Sequence, residues 1–265
     1  MTSVLPDVPE LPFRLIDGGR GPYLFLVHGM LSGGRQWDAN LANLLTVSRP
    51  VVFDLWGHGG APVPEHGAAY EVEALIAGFE RVRSELGAQR VVLCGQSFGA
   101  SLTLRYSIMH PERVAAQIFT NSVSALSSPE VFGSAQARAE RSAAIEAGGH
   151  AVLEQLPFHP ARALRLPEEL RARMVAMARE VDPRAVARLG AITGPRLSVL
   201  GDLDRIACPT LLVNGVREKT FQPLRDLALA RIAGCRVADI DAGHVVNLES
   251  PAEFDAAVTG FLGQQ

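Results

Sequence analysis

The sequence RVVLCGQSFGASLTLRYSIMH, residues 90–110, joins a short apolar run to a helical pattern through two glycines and a serine. The run ending at Cys94 is typical of a buried strand, and the residues after the second glycine are typical of a helix. The motif Gly95-Gln96-Ser97-Phe98-Gly99 therefore lies between a strand and a helix. In that context it predicts a serine nucleophile on a sharp turn, because only glycine tolerates such close approach of strand and helix.

A serine that attacks an acyl carbon requires hydrogen-bond donors for the negative charge that develops on the carbonyl oxygen. The backbone N–H of Phe98, at the N-terminal end of the helix after Ser97, is one predicted donor. The second is predicted in the loop of sequence LVHGMLSGGRQW, residues 26–37. Met30 is the candidate there, and His28 is predicted to brace the loop by hydrogen bonds rather than to carry a proton.

Six short apolar runs alternate with helical patterns, which predicts an α/β fold with a mostly parallel central sheet flanked by helices. An apolar stripe at helical spacing covers residues 72–86 and ends at Gly87. Ser250 and Glu253 are predicted to form a capping box around Pro251 at the start of the last helix. The predicted strands are residues 23–27, 51–53, 90–94, 114–120, 210–214 and 236–240.

Residues from about 125 to 205 contain no convincing strand pattern, and they are predicted to be a helical insertion between two strands. The predicted organisation is a core formed by residues 1–124 and 206–265, with a helical cap at 125–205. Met174 and Met177 share one helix face and are expected to pack within the cap. Four apolar residues are candidates to line a pocket beneath it: Phe132, Leu153, Leu156 and Phe158.

The composition excludes several classes of protein. A hydrophobic fraction of 48% with 20% charged residues excludes intrinsic disorder, and a net charge of -3 disfavours nucleic acid as a partner. The longest apolar runs are too short to span a membrane, and the N-terminal residues lack the pattern of a signal peptide, so a cytoplasmic protein is expected. Three widely separated cysteines predict neither a disulfide framework nor a zinc site, and no cofactor is expected.

The motifs jointly resemble the α/β-hydrolase superfamily over nearly the whole chain. HGMLSGGRQW (28–37) resembles its oxyanion loop, DLWGHGGAPVP (54–64) its Asp-x-x-Gly-His-Gly turn, and GQSFGAS (95–101) its nucleophile elbow. HPERV (110–114) and AGHVVNLESPAEF (242–254) are further blocks of the same resemblance. The resemblance implies the α/β-hydrolase fold with a helical cap, and a serine, an acid and a histidine in that chain order.

The same resemblance implies the base. In the family pattern a Gly-His pair follows the final strand and precedes a glutamate and a proline, which makes His244 the base and Glu249 a structural residue. The remaining histidines outside the loop of His28 are interpreted as turn or surface residues: His58, His66, His110, His150 and His159.

The acid departs from the family pattern. The strand PTLLVNG, residues 209–215, matches the block that precedes the acid, but the third residue after its glycine is Glu218 rather than an aspartate. A glutamate can accept the imidazole N–H if the loop allows for one more methylene. The stretch also resembles the Asn-Gly-x-x-Glu loop of metal-independent acyl-homoserine-lactone hydrolases, so Glu218 is the predicted acid.

Alternatives for this acid remain open at the level of sequence. Glu218 could instead form a surface ion pair with its neighbours Arg217 and Lys219. Three other carboxylates are rivals for the role of acid: Asp202, Asp204 and Asp241.

The predicted function is a serine hydrolase that cleaves carboxylic esters or lactones of hydrophobic small molecules through an acyl-enzyme, as a monomer or homodimer. Ser97, Glu218 and His244 are its predicted triad, and Met30 and Phe98 its oxyanion donors.

Three alternatives are a carbon–carbon bond hydrolase of the meta-cleavage type, a cofactor-free perhydrolase and a hydrolase-like ligand receptor. This chain lacks the Ser-Gly-Pro-Gly loop that is usual in meta-cleavage hydrolases, and a ligand receptor would not require Ser97 and His244. Epoxide hydrolases and haloalkane dehalogenases are excluded, since they attack with an aspartate where this chain has Ser97.

Overall fold

Seven strands form one sheet in residues 9–264, the part of the chain that this computed structural model describes. Their order across the sheet is β1-β3-β2-β4-β5-β6-β7, and all neighbours are parallel except β1 with β3. The strands are β1 (Phe13–Leu15), β2 (Tyr23–Val27), β3 (Arg49–Phe53), β4 (Val91–Gly95), β5 (Val114–Thr120), β6 (Thr210–Gly215) and β7 (Arg236–Ile240).

Helices connect the strands, as parallel neighbours require. The α-helices are α1 (Leu41–Leu44), α2 (Val72–Glu85), α3 (Phe98–Met109), α4 (Val123–Leu126), α5 (Ala135–Gly148), α6 (His150–Leu153), α7 (Glu168–Arg179), α8 (Pro183–Arg188), α9 (Gln222–Arg231), α10 (Val246–Glu249) and α11 (Pro251–Leu262). Short 3-10 helices are Gly34–Trp37, Gly67–Tyr70, Pro111–Arg113, Pro129–Phe132, Pro160–Arg162, Gly194–Arg196, Leu200–Arg205 and Lys219–Phe221, and Leu189–Thr193 is a π-helix.

Both faces of the sheet are buried, which explains why the strands are continuous apolar runs. Along β2, Leu24 and Leu26 pack with α11, while Phe25 and Val27 pack into the larger cluster that includes residues of α2 and α3. Side chains of a strand alternate between the two faces, so β2 to β7 each contribute to two cores, whereas two of the three residues of the edge strand β1 are exposed. The predicted fold class is confirmed, as are the six predicted strands to within two residues at each end.

The sequence-based prediction missed one strand and was wrong about one helix cap. The antiparallel edge strand β1 was not predicted, because three residues are too few to show a period. Ser250 makes no side-chain cap bond, and its backbone N–H is bonded to the carbonyl oxygen of Val246 at 3.0 Å. That N–H is therefore not available to Glu253, and the capping box does not form.

Between β5 and β6 the described chain contains only helices, which we call the helical segment (residues 123–205). The first eight residues of the predicted core, where a signal peptide was not expected, lie outside the described range. No helix within that range combines the length and apolar character needed to cross a membrane.

The glycine pair around Ser97 offers a test of the packing between α3 and the sheet. A Cβ on Gly99 would lie 2.2 Å from the carbonyl oxygen of Val27 in β2, whereas a Cβ on Gly260 in α11 would meet nothing within 4 Å. Gly99→Ala should lower the free energy of unfolding by about 1–3 kcal/mol, the usual range for overpacking. Gly260→Ala should raise it by up to about 1 kcal/mol, from helix propensity. Urea unfolding checks both values, and an equal response of the two variants would contradict this packing.

Candidate active site

Ser97 lies on the turn between β4 and α3 with φ of 53°, in the left-handed region. Such a conformation costs a non-glycine residue on the order of 1–3 kcal/mol, so the surroundings must hold it. The flanking glycines permit this turn, because a Cβ on Gly95 would lie 2.5 Å from the Cα of Ala100. The hydroxyl of Ser122 also donates to the backbone carbonyl of Ser97 at 2.7 Å. The predicted sharp turn is therefore present.

Three side chains from separate loops meet at this turn. His244 Nε2 lies 2.9 Å from Ser97 Oγ, and His244 Nδ1 lies 3.0 Å and 3.1 Å from the two carboxylate oxygens of Glu218. A carboxylate only accepts, so Nδ1 carries the ring proton and Nε2 is free to accept from the Ser97 hydroxyl. The three residues follow β4, β6 and β7, whose carboxyl ends lie at one edge of the sheet.

Asn121, at the end of β5, holds Glu218 in place. Its amide Nδ2 donates to Glu218 Oε2 at 2.8 Å, and its Oδ1 accepts from the backbone N–H of Gly215 at 2.9 Å. The Asn121 side chain is fully buried, and Gln222 Nε2 donates to the Glu218 carbonyl at 3.0 Å. Asn121 had no predicted role. The one signal in the sequence for such a role was its position directly after β5, the strand that neighbours β6.

The paired groups shift each other's pKa in opposite directions. Partial removal from water lowers the pKa of His244, but the hydrogen bond and the charge of Glu218 raise it by more, so that it lies above its ordinary value. Burial raises the pKa of Glu218, but the bonds from His244 and Asn121 and the charge of His244 lower it by more. Glu218 is thus a carboxylate that stabilises a positive charge on the His244 ring.

The rival carboxylates are bound to arginines elsewhere. Asp241 pairs with Arg217 in two contacts of 2.6 Å and 2.7 Å, and its side chain is 78% exposed. Glu218 pairs with His244 rather than with Arg217 or Lys219, so the alternative of a surface ion pair does not match the geometry. The two remaining rivals pair as Asp202 with Arg105 and Arg205, and Asp204 with Arg231.

Glu249 supports the loop that carries His244. Its carboxylate accepts the backbone N–H of Gly243 at 2.8 Å and that of Val245 at 3.1 Å, one on each side of the histidine. These bonds fix the backbone on both sides of the ring. The structure thus places Glu249 as a brace, in agreement with the structural role that the family resemblance implies.

The His28 loop (residues 28–31) lies beside Ser97. A Cβ on Gly29 would be 3.3 Å from the Cβ of Ser97, so the backbone of this loop borders the nucleophile turn. Within residues 9–264, the backbone N–H groups of Met30 and Phe98 donate to no protein acceptor. Both predicted donors are therefore free to bind a substrate oxygen.

Two buried histidines connect the His28 loop to the turn of residues 54–59, which we call the His58 turn. His28 Nε2 accepts the N–H of Leu55 at 3.0 Å, and His58 Nε2 accepts the N–H of Leu31 at 3.3 Å. Burial lowers the pKa of His28 to about 4 and that of His58 to about 3, so both rings are neutral at neutral pH. His28 braces its loop as predicted.

The interpretation of His58 as a turn or surface residue is wrong in one respect, because its ring is fully buried. The His28 loop folds over the glycine-rich turn that contains His58. Local sequence does not reveal this long-range contact. His159 was interpreted in the same way but is 3% exposed. It accepts the N–H of Ala161 and caps a short helix.

Apolar residues of the helical segment pack on the His28 loop. Leu31 and the half-buried Met30 belong to a cluster whose other members are Ile145, Val152, Leu153, Leu156, Ala178, Val181, Val186 and Ala187. Of the other two pocket candidates, Phe132 packs against the main core, and Phe158 is 59% exposed on the surface. Leu153 and Leu156 are therefore the two candidates that share a cluster with Leu31 and Met30 of the His28 loop. Met174 and Met177 are half-buried in α7.

The described residues offer no cluster of three or more His, Cys, Asp or Glu side chains that could hold a metal ion. What the site contains is a hydroxyl, an imidazole, a carboxylate and two free N–H groups. This set can deprotonate a serine and stabilise an oxyanion.

Comparison with known proteins places this geometry in context. A family model described as "Alpha/beta hydrolase family" matches residues 24–257. Lipase LipV of Mycobacterium tuberculosis is 26% identical, and the match covers 93% of this chain and 95% of the lipase. A Bacillus subtilis protein named "Putative 2-succinyl-6-hydroxy-2,4-cyclohexadiene-1-carboxylate synthase" is 25% identical, over 89% of this chain and 88% of that protein.

A solved structure is similar over a comparable length. The thermophilic esterase from Thermogutta terrifontis, determined with malate bound, is 25% identical. It superposes with a TM-score of 0.80 and covers 95% of this chain and 93% of its own.

The pairing of His244 with Glu218 predicts a titration that does not depend on any substrate. The His244 ring should titrate above the ordinary histidine value of about 6.5, because Glu218 stabilises its protonated form. In Glu218→Gln that charge is lost and the pKa should fall. NMR titration of the labelled ring measures both values. Asp241→Asn is the matched control, and a His244 pKa that shifts in this control but not in Glu218→Gln would contradict the pairing.

Proposed function

The chain belongs to the alpha/beta hydrolase family, and on this premise we propose that it is a serine hydrolase acting on carboxylic esters or lactones of hydrophobic small molecules. The observation that carries the proposal is the continuous contact from Ser97 Oγ through the His244 ring to Glu218, at 2.9 Å and 3.0 Å. Ligand binding alone would not require this chain of contacts.

In the proposed mechanism, His244 Nε2 takes the proton of Ser97 as Oγ attacks the acyl carbon. The N–H groups of Met30 and Phe98 bind the resulting oxyanion. Collapse of the tetrahedral intermediate breaks the bond to the leaving oxygen, which receives the proton from His244. A water molecule, deprotonated by the same ring, then attacks the acyl carbon of the acyl-enzyme. The bond from that carbon to Ser97 Oγ breaks, Oγ takes the proton back from His244, and the carboxylic acid is released. Glu218 stabilises the imidazolium in both steps.

The surroundings of Ser97 support an uncharged, apolar substrate. The cluster over the His28 loop is aliphatic, and we propose that residues 125–205 act as a cap whose underside binds the hydrophobic part of the substrate. Three arginines of the helical segment already have partners. Arg184 pairs with Asp182, Arg188 donates to the carbonyl of Pro64 and Arg196 pairs with glutamates of the core.

The relatives described above indicate two candidate chemistries. The similarity to a lipase and to an esterase, each over more than nine tenths of this chain, supports ester hydrolysis. A second candidate is the reaction of the Bacillus subtilis synthase, because the match to that protein also covers most of both chains. Its name specifies a carboxylate product, and the apolar surroundings of Ser97 favour ester hydrolysis instead.

A substrate screen tests the proposal directly. The purified chain is assayed on p-nitrophenyl esters of increasing acyl length, on uncharged lactones, on a meta-cleavage product and on a charged ester such as a succinate monoester. We expect uncharged esters or lactones to be turned over with higher kcat/KM than the charged ester. A wild-type chain that is neither labelled by a fluorophosphonate nor active on any ester or lactone would contradict the proposal.

Substitutions in the contact chain should affect turnover as a unit. Ser97→Ala and His244→Ala should each lower kcat by up to about 10⁶-fold, and the double variant should lose little more. Glu218→Gln should cost up to about 10⁴-fold, since the ring loses its orienting acceptor and its counter-charge. Steady-state kinetics on one p-nitrophenyl ester measures kcat for all four variants.

The matched control is Asp241→Asn, which removes a carboxylate that is close to His244 in sequence and pairs with the exposed Arg217. It should retain near wild-type kcat. If Asp241→Asn were severely impaired and Glu218→Gln active, the acid would be misassigned.

A further inference from the structure

Two peptide groups flank Met30, and each is held by a buried histidine. The carbonyl oxygen of Gly29 lies 2.7 Å from His28 Nδ1, and the N–H of Leu31 donates to His58 Nε2 at 3.3 Å. A trans peptide places its C=O and its N–H on opposite sides. The Met30 N–H shares a peptide group with the Gly29 carbonyl. Since that carbonyl points toward His28, the Met30 N–H points in the opposite direction, away from the ring.

Leu31 needs such a constraint. Its φ is 59°, and Leu31 and Ser97 are the non-glycine residues with positive φ in residues 9–264. An L-residue disfavours this conformation, so the loop relaxes toward negative φ unless contacts prevent it. Relaxation at Leu31 rotates the neighbouring peptide groups. The side chain of Leu31 is buried among aliphatic residues, but such contacts are not directional and do not fix the orientation of an N–H.

The protonation state of His58 suits it to this task. Its Nδ1 lies 2.9 Å from the carbonyl oxygen of Trp56, which can only accept, so Nδ1 carries the proton and Nε2 presents a lone pair. The ring is fully buried beside His28, with ring centroids 5.0 Å apart, and burial keeps it neutral at neutral pH. His58 is therefore a fixed acceptor for one N–H, that of Leu31.

We infer that His58 is a positioning residue of the reaction: its bond to Leu31 holds the Met30 N–H in the direction of the developing oxyanion. This inference rests on the proposed function, because it concerns a donor of the proposed oxyanion site. It assigns a catalytic consequence to the second histidine-containing motif, Asp54-x-x-Gly57-His58-Gly59.

A matched pair of variants isolates the Nε2 acceptor. In His58→Gln the side-chain oxygen can reach the position of Nε2 and still accept from Leu31. In His58→Asn the shorter amide can replace the donor to Trp56 but does not reach Leu31. We expect His58→Asn to lower kcat on a p-nitrophenyl ester about 10- to 100-fold with little change in KM, somewhat less than removal of an oxyanion donor. His58→Gln should retain most activity.

Two further readouts separate positioning from general damage to the fold. The affinity for a phenylboronic acid, whose tetrahedral adduct with Ser97 mimics the charged intermediate, should fall with kcat in His58→Asn. The acidic limb of the kcat/KM profile should not move, because His244 and Glu218 are unchanged. If His58→Asn does not fold, His58→Leu also lacks the acceptor and should give the same kinetic result.

Gln117→Leu is the control for loss of a buried hydrogen-bonding side chain, since Gln117 lies fully buried in β5, accepts from the Ser107 hydroxyl and donates to Thr103 Oγ1. It should lower Tm while leaving kcat and boronate affinity near wild type. Equal losses in Gln117→Leu and His58→Asn, equal losses in His58→Gln and His58→Asn, or unchanged kcat in a folded His58→Asn would each overturn the inference. Those results, with an active wild type, leave the proposed function intact, whereas an inactive, unlabelled wild type removes both.

Discussion

The close contact of α3 with β2 and β4 is the constraint on which the site depends. Gly95 and Gly99 let the helix start directly against the strands, and this forces the intervening Ser97 into a left-handed conformation. The same contact sets the Phe98 N–H free at the N-terminal end of α3 and places it beside the His28 loop. This one packing contact in the core therefore positions both the Ser97 hydroxyl and the Phe98 N–H.

The remaining groups are brought to Ser97 by the sheet and fixed by buried hydrogen bonds. β6 and β7 end at the same edge as β4, so the loops that carry Glu218 and His244 meet there. Asn121 and Glu249 then hold those loops through short bonds to side chain and backbone. Catalytic geometry of this kind requires supporting contacts, because misplacement by about an ångström costs activity.

Local signals in the sequence were sufficient for six of the seven strands and for the nucleophile turn, whereas the three residues of β1 are too few to show a period. Strands buried on both faces are continuous apolar runs, and the turn at Ser97 has glycine on both sides for a steric reason. Glu218 could not be separated from Asp202, Asp204 and Asp241 in the same way. The partners that decide among them lie far along the chain, such as Arg105 for Asp202 and Asn121 for Glu218.

The burial of His58 was missed for a related reason. A histidine in a glycine-rich turn has the local composition of a surface loop, and only the fold brings Leu31 over it from 27 residues away. The helical segment is similar. Its helices are visible as periodic patterns, but the contact of Leu153 and Leu156 with the His28 loop depends on tertiary packing.

Turnover is proposed to pass through an ester of Ser97, and mass spectrometry of the quenched reaction tests this step most directly. The chain is mixed with p-nitrophenyl butyrate, quenched in acid within the first turnovers, digested and analysed. We predict a stoichiometric burst of p-nitrophenol with a butyryl group on the peptide that contains Ser97. Turnover with the butyryl group on another residue, or with no acylated peptide and no burst, would contradict the account.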